Sequence, residues 1–196
     1  MEFVQIMSHP RIIRARIIEE ATPILLNFLV QKNLGPLLTV RCRPQPHCER
    51  KCCFANVDKQ VALKGGELIT GWFFNEIENM SITGEAHAIW KHPNGKRIDI
   101  TPHDFHPERI VFVPDPKVAL KRGYTASPLL ILSDDPEVIA LETFRADCEL
   151  LREQKFKGFG QYIEVTTDEV RELAAKSNLP FDRAKELMFQ TMNMDQ

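Results

Sequence analysis

Apolar and polar positions along the chain predict helices at both ends and strands between them. Helical spacing from about residue 14 to 32 predicts a packing helix, and Pro23, which interrupts it, can start a second helix at its first turn. Short apolar runs predict strands over residues 37–41, 67–74, 109–113 and 128–132. Residues 75–83 are predicted to be a polar connection. The pattern therefore predicts an α+β fold in which helices pack on an antiparallel β-sheet.

Helical spacing returns in the last third of the chain. It predicts helices over residues 136–155, 167–176 and 181–192, the first of them capped by Ser133 or Asp134. We expect residues 1–160 to form an α+β core domain and residues 161–196 to form a helical pair appended to the same domain. Because the faces of this pair are as acidic as they are basic, a lid or a partner-docking arm is favoured over a DNA-reading module.

The centre of the chain holds a predicted β-hairpin. Its strands lie around residues 84–90 and 96–101, and the segment His92-Pro93-Asn94-Gly95 joins them. Proline and asparagine suit the central positions of a type I turn, and glycine suits the left-handed residue that closes a three-residue loop with a bulge. Such a loop places His92 opposite Lys96 and so sets the register of both strands.

This register decides where two chemically useful side chains point. Counting outward from the loop, Ile89 faces Asp99 and His87 faces Thr101, so His87 and Asp99 are diagonal neighbours on one face. Their Cβ atoms are then roughly 7 Å apart or less, which allows a carboxylate–imidazole hydrogen bond. A two-residue loop would place them on opposite faces, so the interpretation depends on the three-residue loop.

A helix with a cysteine in its first turn is predicted upstream of the hairpin. Apolar positions from Phe54 to Leu63 repeat at helical spacing and end at Gly65-Gly66. At Cys53, unsatisfied N–H groups and the positive end of the helix dipole favour a thiolate. A free cysteine is commonly just a small buried hydrophobe. With His87 and an aspartate available on one sheet, however, a nucleophile is favoured.

A cysteine-rich loop precedes this helix and raises the alternative of a metal site. Four of the five cysteines lie within twelve positions; the five are Cys42, Cys48, Cys52, Cys53 and Cys148. An odd number without a secretion signal disfavours a disulfide framework. Tetrahedral zinc accepts four ligands, which can be supplied by Cys42, His47, Cys48 and Cys52. Zinc modules usually space their ligand pairs further apart, so zinc is the alternative interpretation. His103 and His106 have the spacing of half a metal site without a carboxylate or cysteine pair beside them, and a solvated loop explains them equally well.

Composition and charge disfavour several classes of protein. The 196 residues are 43% hydrophobic and 27% charged, as in ordinary globular proteins. A formal net charge of -2 argues against a general nucleic-acid binder. No apolar run approaches the roughly 20 residues of a membrane helix, and the first residues lack the features of a signal peptide, so we expect a cytoplasmic protein. Gly65-Gly66 lacks the Lys-Ser/Thr of a nucleotide-binding loop.

The order of the candidate residues also resembles a known family. Cys53, His87 in His-Ala-Ile-Trp and Asp99 in Asp-Ile-Thr-Pro are similar to the signature of the transglutaminase-like branch of the papain-like superfamily. That family presents its cysteine at a helix N-terminus and its histidine and aspartate on adjacent antiparallel strands. Residues 53–115 also resemble an uncharacterised set of bacterial and mobile-element proteins. His87 and Asp99 are closer in sequence than is common in the family, and Cys52 can compete with Cys53 as a ligand or disulfide partner.

Together, the residues and the resemblance predict a thiol-dependent acyl-transfer enzyme: an amide hydrolase, a deamidase or a transglutaminase-like enzyme. We expect Cys53 to be the nucleophile, His87 the general base and acid, and Asp99 the group that fixes the imidazole tautomer. Backbone N–H groups of Cys53 and Phe54 are the expected oxyanion donors, with the Gln45 side chain as a weaker candidate. No cofactor is expected, and a peptide or protein amide is the expected substrate. The alternatives are a non-catalytic zinc-stabilised binding protein and a triad-bearing scaffold without activity.

Overall fold

A computed structural model of the chain describes residues 15–159 and 163–186. The strands are β1 (Ala15–Ile17), β2 (Leu38–Cys42), β3 (Glu67–Ile77), β4 (Ser81–Lys91), β5 (Arg97–Asp99), β6 (Arg109–Pro114) and β7 (Leu129–Ile131). The helices are α1 (Pro23–Gln31), α2 (Cys53–Lys64), α3 (Val118–Lys121), α4 (Pro136–Lys155) and α5 (Thr167–Lys176), with a 3-10 turn at Arg122–Tyr124 and helical backbone over residues 181–186. None of the helices in the described segments is long and apolar enough to cross a membrane.

Five of the strands close into a barrel. Their order is β3–β6–β2–β5–β4, and β4 pairs back onto β3. β2 and β5 run parallel, whereas the other pairs of the barrel are antiparallel. β1 and β7 extend the sheet at β3 and β4. The predicted α+β class is confirmed, but the simple antiparallel sheet is replaced by a closed barrel, because alternation along a strand specifies its faces and not its partners.

Gly71 allows β3 to pair on both sides within the barrel. It lies opposite His87 on β4 and opposite Pro114 on β6. A Cβ atom at this position would lie 2.1 Å from the carbonyl oxygen of Val113 and 2.8 Å from the ring of Phe112. The backbones of β3 and β6 therefore approach each other so closely at Gly71 that only glycine fits.

The hydrophobic core is arranged around the barrel wall. The barrel interior is filled by Val40, Phe73, Ile89, Ile110 and Phe112. On the outer surface, α2 packs against the hairpin through a second cluster, which consists of Cys53, Val57, Ala88, Trp90 and Ile100. A further cluster joins α4 to the C-terminal helices through Phe144, Cys148, Val170, Ala174 and Ala184. The wall therefore separates an inner apolar layer from the helix that carries the predicted nucleophile.

The helix predicted over residues 14–32 is confirmed only from Pro23 onward. The segment before it is strand β1, in which Arg16 lies opposite Glu76 and forms an ion pair of 2.6 Å with it. Ile18 continues this pairing through main-chain hydrogen bonds to β3 and β6. These long-range bonds override the helical spacing, which β-branched isoleucines support only weakly.

The polar connection predicted over residues 75–83 is also wrong. β3 and β4 continue through it, and only residues 78–80 form the turn, with Asn79 in a left-handed conformation at φ 58°. Polar side chains here bond across the strands, as in the 3.0 Å hydrogen bond from Asn75 to Glu85. Polar composition therefore concealed strand ends whose side chains face solvent.

The predicted helices α4 and α5 are confirmed together with their boundaries. The cap of α4 is Asp135, the residue after the two predicted caps, and its side chain accepts a hydrogen bond from the first turn. A capping box of Thr166 and Glu169 starts α5. The final helix predicted over residues 181–192 is helical as far as residue 186, and the remainder lies outside the described residues.

Candidate active site

Cys53 begins helix α2, as the sequence predicted. Cys52 occupies the N-cap position, and its side chain caps none of the N–H groups of the first turn. The buried face of α2 carries Cys53, Asn56, Val57 and Gln60, and Cys53 is 7% exposed. The positive end of the helix dipole therefore lies at a thiol that is held against the barrel.

Asn56, one turn after Cys53, fixes the chain on the approach to the helix. Its Oδ1 accepts a hydrogen bond of 3.0 Å from the N–H of Glu49, and its Nδ2 donates to the Glu49 carbonyl at 2.8 Å. The same Nδ2 donates to Oγ1 of Thr101 at 3.1 Å. One buried amide thus ties the loop before Cys53 to the segment that follows Asp99.

The hairpin has the three-residue loop that the sequence predicted. The N–H of His92 donates to the carbonyl of Lys96 at 2.9 Å, and Gly95, at φ 86°, donates to the carbonyl of His92 at 2.8 Å. The strand pairs on either side keep the predicted register. His87 and Asp99 consequently meet, with Nε2 of the imidazole 3.1 Å from Oδ2 of the carboxylate.

Asp99 is fully buried between two imidazoles. Its Oδ1 accepts a hydrogen bond of 3.0 Å from the N–H of Thr101, and its Oδ2 lies 2.5 Å from Nε2 of His103. Burial alone would raise the pKa of this carboxyl, but the charge of His87, with the hydrogen bond and charge of His103, outweighs burial and holds the pKa well below its usual range. Asp99 is therefore an ionised carboxylate inside the protein.

His87 interacts with both Asp99 and the thiol of Cys53. Its side chain is 3% exposed and packs edge-on against the ring of Phe73, with the centroids 5.1 Å apart. Nε2 is within ion-pair distance of Asp99 but makes no regular hydrogen bond, so the contact is one of charge. Burial lowers the pKa of His87, whereas the charges of Asp99 and Cys53 raise it, and the net pKa lies well above the usual value.

Three of the other cysteines, Cys42, Cys48 and Cys148, lie in surroundings that disfavour a thiolate. Burial, followed by the charges of Asp99 and Glu19, raises the pKa of Cys42 to about 12. Burial and neighbouring acidic groups raise the pKa of Cys148 to about 12, and burial also raises the pKa of Cys48. Because the thiolate is the reactive form, these cysteines are poor nucleophiles at neutral pH.

The structure does not bring together the four alternative zinc ligands, Cys42, His47, Cys48 and Cys52. Among the residues that the structure describes, the set of three or more side chains whose ligand atoms converge is Cys42, Asp99 and His103, within 4.8 Å of one another. Cys52 is exposed, and Cys48 packs beside the cluster that contains Cys53. Of the predicted ligands, only Cys42 therefore belongs to a group that can hold a metal.

His103 is the site residue that the sequence interpretation missed. The sequence allows either half of a metal site or a solvated loop at this position, and the structure shows a side chain that is 8% exposed and bonds to Asp99. Its ring also packs edge-on against Phe73, with the centroids 5.2 Å apart. The available signal was its position four residues after Asp99, just beyond a Thr-Pro pair. Spacing alone does not say whether a loop turns inward.

The predicted oxyanion donors differ in their availability. The side-chain Nε2 of Gln45 donates to the carbonyl of Arg43 at 3.0 Å within its own loop. Cys53 and Phe54, in contrast, are the first residues of α2, and the first N–H groups of a helix have no intrahelical partner. The first turn of α2 is therefore the better position for a developing negative charge.

These contacts form a continuous path from a buried carboxylate, through an imidazole, to a thiol at a helix N-terminus. Such a path can generate a nucleophilic sulfur and move a proton to and from it. No protein-family model, curated protein or solved structure matches the chain.

Proposed function

We propose that the protein is a thiol-dependent acyl-transfer enzyme with Cys53 as its nucleophile. The observation that carries the proposal is the 3.1 Å contact of Asp99 with His87, whose ring in turn interacts with the thiol that begins α2. Each group has the environment that its role requires: an ionised carboxylate, an imidazole of raised pKa, and a thiol at the positive end of a helix. The same geometry supports the resemblance to transglutaminase-like enzymes.

In the first half-reaction, the proton of Cys53 is held on His87, and the sulfur attacks the carbonyl carbon of an amide or ester. Because Nε2 of His87 faces Asp99, Nδ1 is the ring nitrogen left to exchange the proton with sulfur. The oxyanion that forms accepts hydrogen bonds from the first-turn N–H groups of α2. His87 then protonates the leaving amine or alcohol, the bond to the carbonyl carbon breaks, and a thioester on Cys53 remains.

In the second half-reaction, water or an amine attacks the thioester. His87 takes a proton from the attacking group, the carbon–sulfur bond breaks, and the proton returns to the sulfur of Cys53. Asp99 holds the imidazole in one orientation through both steps and stabilises its charged form. Attack by water gives hydrolysis or deamidation, and attack by an amine gives transfer or cross-linking.

We propose a peptide or protein amide as the substrate. The thiol is nearly enclosed, so a substrate must displace part of the loops around it. The loops before Cys53 and after Asp99 are joined by the ion pair of Arg50 with Asp104, at 2.6 Å. This pair is mostly exposed and therefore opposes loop opening only weakly.

Residue-resolved alkylation tests the nucleophile. Metal-free protein is treated with limiting iodoacetamide from pH 5 to 8, and the modified cysteines are identified by mass spectrometry. We expect Cys53 to react first at pH 6, ahead of the more exposed Cys52, and His87→Asn to slow it at least about tenfold. Circular dichroism shows whether each variant remains folded.

An acyl-trapping experiment tests the chemistry. An activated acyl ester should add one acyl group to Cys53, and water or an added amine should then remove it. The matched variants are Cys53→Ala, which should lose the adduct, and Cys52→Ala, which should keep it. If Cys52 is modified ahead of Cys53 and no thioester forms on either, the acyl-transfer proposal is wrong and a non-catalytic binding protein is the better account.

A further inference from the structure

Asp99 contacts more ligand-type groups than an orienting carboxylate requires. Its Oδ2 lies 2.5 Å from Nε2 of His103, 3.1 Å from Nε2 of His87 and 4.0 Å from Sγ of Cys42. Cys42 ends β2, Asp99 ends β5, and His103 lies in the loop that follows. The parallel pairing of β2 with β5 places Cys42 directly opposite Asp99. The barrel thus gathers a sulfur, an oxygen and a nitrogen from three separate segments.

A second observation comes from His87. Its Nε2 is buried and faces the same carboxylate oxygen, yet it makes no regular hydrogen bond. A buried nitrogen that makes only a charge contact keeps hydrogen-bonding capacity that a bound ion can use. It adds a fourth ligand-type atom beside the three that already converge.

We propose that Cys42, Asp99 and His103 bind a zinc ion. We further propose that this ion lowers the reactivity of the Cys53 thiol, because Asp99 as a zinc ligand no longer pairs with His87. The binding site stands by itself, whereas its regulatory effect rests on the proposed acyl-transfer function. This ligand set differs from the one predicted in the cysteine-rich loop and shares only Cys42 with it.

The geometry is close to that of a tetrahedral zinc site. Zinc binds sulfur, nitrogen and oxygen at about 2.0 to 2.3 Å, so tetrahedral ligands are about 3.3 to 3.6 Å from each other. His103 and Asp99 must separate from 2.5 Å, and Cys42 must approach Asp99 from 4.0 Å. These two adjustments are about 1 Å or less, on the bond lengths above. Water or Nε2 of His87 can complete the fourth position.

The chemistry of the donors also suits zinc. A thiolate with an imidazole and a carboxylate is a borderline-soft set, which zinc accepts and magnesium or calcium does not favour. On binding, Cys42 releases its thiol proton to solvent, and His103 presents Nε2 without its proton. The negative charges of the thiolate and the Asp99 carboxylate then balance the two positive charges of the ion.

Cobalt titration of the metal-free, full-length protein tests the site, because Co²⁺ reports tetrahedral thiolate ligation by its absorption. We expect a sulfur-to-cobalt charge-transfer band that one equivalent of Zn²⁺ removes. Cys42→Ser should abolish this band and His103→Gln should weaken Co²⁺ binding at least about tenfold, since ligand loss commonly costs that much or more. The matched controls, Cys52→Ser and Cys53→Ser, should both retain the band.

Two results would overturn the site. One is the absence of a sulfur-to-cobalt band in the wild-type protein. The other is a band that survives Cys42→Ser and disappears in Cys53→Ser, which would mean that the metal binds the nucleophile instead. Thermal unfolding of each variant, monitored by circular dichroism, shows whether a variant that lacks the cobalt band is still folded.

A separate measurement tests regulation. One equivalent of Zn²⁺ should slow alkylation of Cys53 at least about tenfold in the wild-type protein, and leave Cys42→Ser at its own metal-free rate. Zinc that binds through Cys42 without slowing Cys53 would overturn the regulatory effect. An unreactive Cys53 in metal-free protein would instead contradict the proposed enzyme, while the cobalt band would still decide whether the site exists.

Discussion

Replacing Asp99 with asparagine removes the negative charge at the centre of the site while keeping the shape of the side chain. The new Oδ1 can still accept the hydrogen bond from the N–H of Thr101. The second carboxylate oxygen becomes an NH₂ donor that faces His87, the ion-pair partner of Asp99, and His103, its hydrogen-bond partner. The substitution therefore removes the partner of His87 without opening a cavity.

The magnitude follows from the distance between the charges. Two unit charges 3.1 Å apart attract each other by about 5 kcal/mol at an effective dielectric constant of about 20. This gross attraction is offset by the cost of burying both groups, and loss of one member of a buried pair typically costs about 3 to 5 kcal/mol. Without the carboxylate, burial becomes the dominant influence on His87. We therefore expect the pKa of His87 to fall from well above its usual value to below it.

The pH dependence of stability has a definite sign. Because the pKa of His87 is raised on folding, protonation of His87 stabilises the folded protein. This stabilisation is fully present below the ordinary histidine pKa of 6.5, and it is lost as the pH rises through the pKa of His87 in the folded state. The lowered pKa of Asp99 contributes stability above its ordinary value of 3.8, which is lost as the pH falls through the folded value. The stability lost in Asp99→Asn should therefore be largest between pH 3.8 and 6.5.

The assay combines NMR titration of the histidine ring protons with the rate of Cys53 alkylation at pH 6, in the presence of a chelator. We expect alkylation to slow at least about tenfold, because a neutral His87 no longer stabilises a thiolate. The matched control is Asp104→Asn, the same change at an exposed carboxylate that pairs with Arg50, and it should alter neither quantity. If the folded Asp99→Asn variant keeps a His87 pKa above 6.5 and an unchanged rate of Cys53 alkylation, then Asp99 does not control the charge of His87 or the reactivity of Cys53.

Three further predictions concern the scaffold and the remaining thiols. Gly71→Ala should destabilise the protein by about 2 kcal/mol or more in urea unfolding, because its Cβ would lie 2.1 Å from the Val113 carbonyl oxygen; a neutral result would contradict the close pairing of β3 with β6. Asn56→Ala should cost about 1 to 3 kcal/mol and also slow alkylation of Cys53, since three hydrogen bonds are lost. Cys148 should stay unmodified at pH 8 in the native protein, because its pKa is raised to about 12; rapid labelling there would refute its burial.

Parts of the fold that depend on neighbouring residues were predictable from the sequence. The start of α2 at Cys53 and its glycine stop, and the bounds of α4 and α5, follow from caps and helical spacing within one or two turns. The hairpin register likewise follows from the turn chemistry of the segment that ends at Gly95. That local geometry was enough to predict that His87 and Asp99 meet.

Parts that depend on distant pairing were not predictable. The strand character of β1 arises from bonds to β3 and β6, which helical spacing in its own segment does not reveal. The same limit applies to the polar ends of β3 and β4, where pairing across the hairpin outweighs composition.

The sequence by itself determined the chemical elements of the site: a cysteine at a helix start, and a histidine and an aspartate on one face of a hairpin. Only the tertiary structure decided what surrounds the aspartate. Closure of the barrel places Cys42 opposite Asp99 across 57 positions of the chain, and the loop after β5 turns His103 inward onto the same carboxylate. The physical reason is that the pattern of side chains along a strand specifies which face of the sheet each residue occupies. Which other strand pairs with it depends on the packing of the whole barrel.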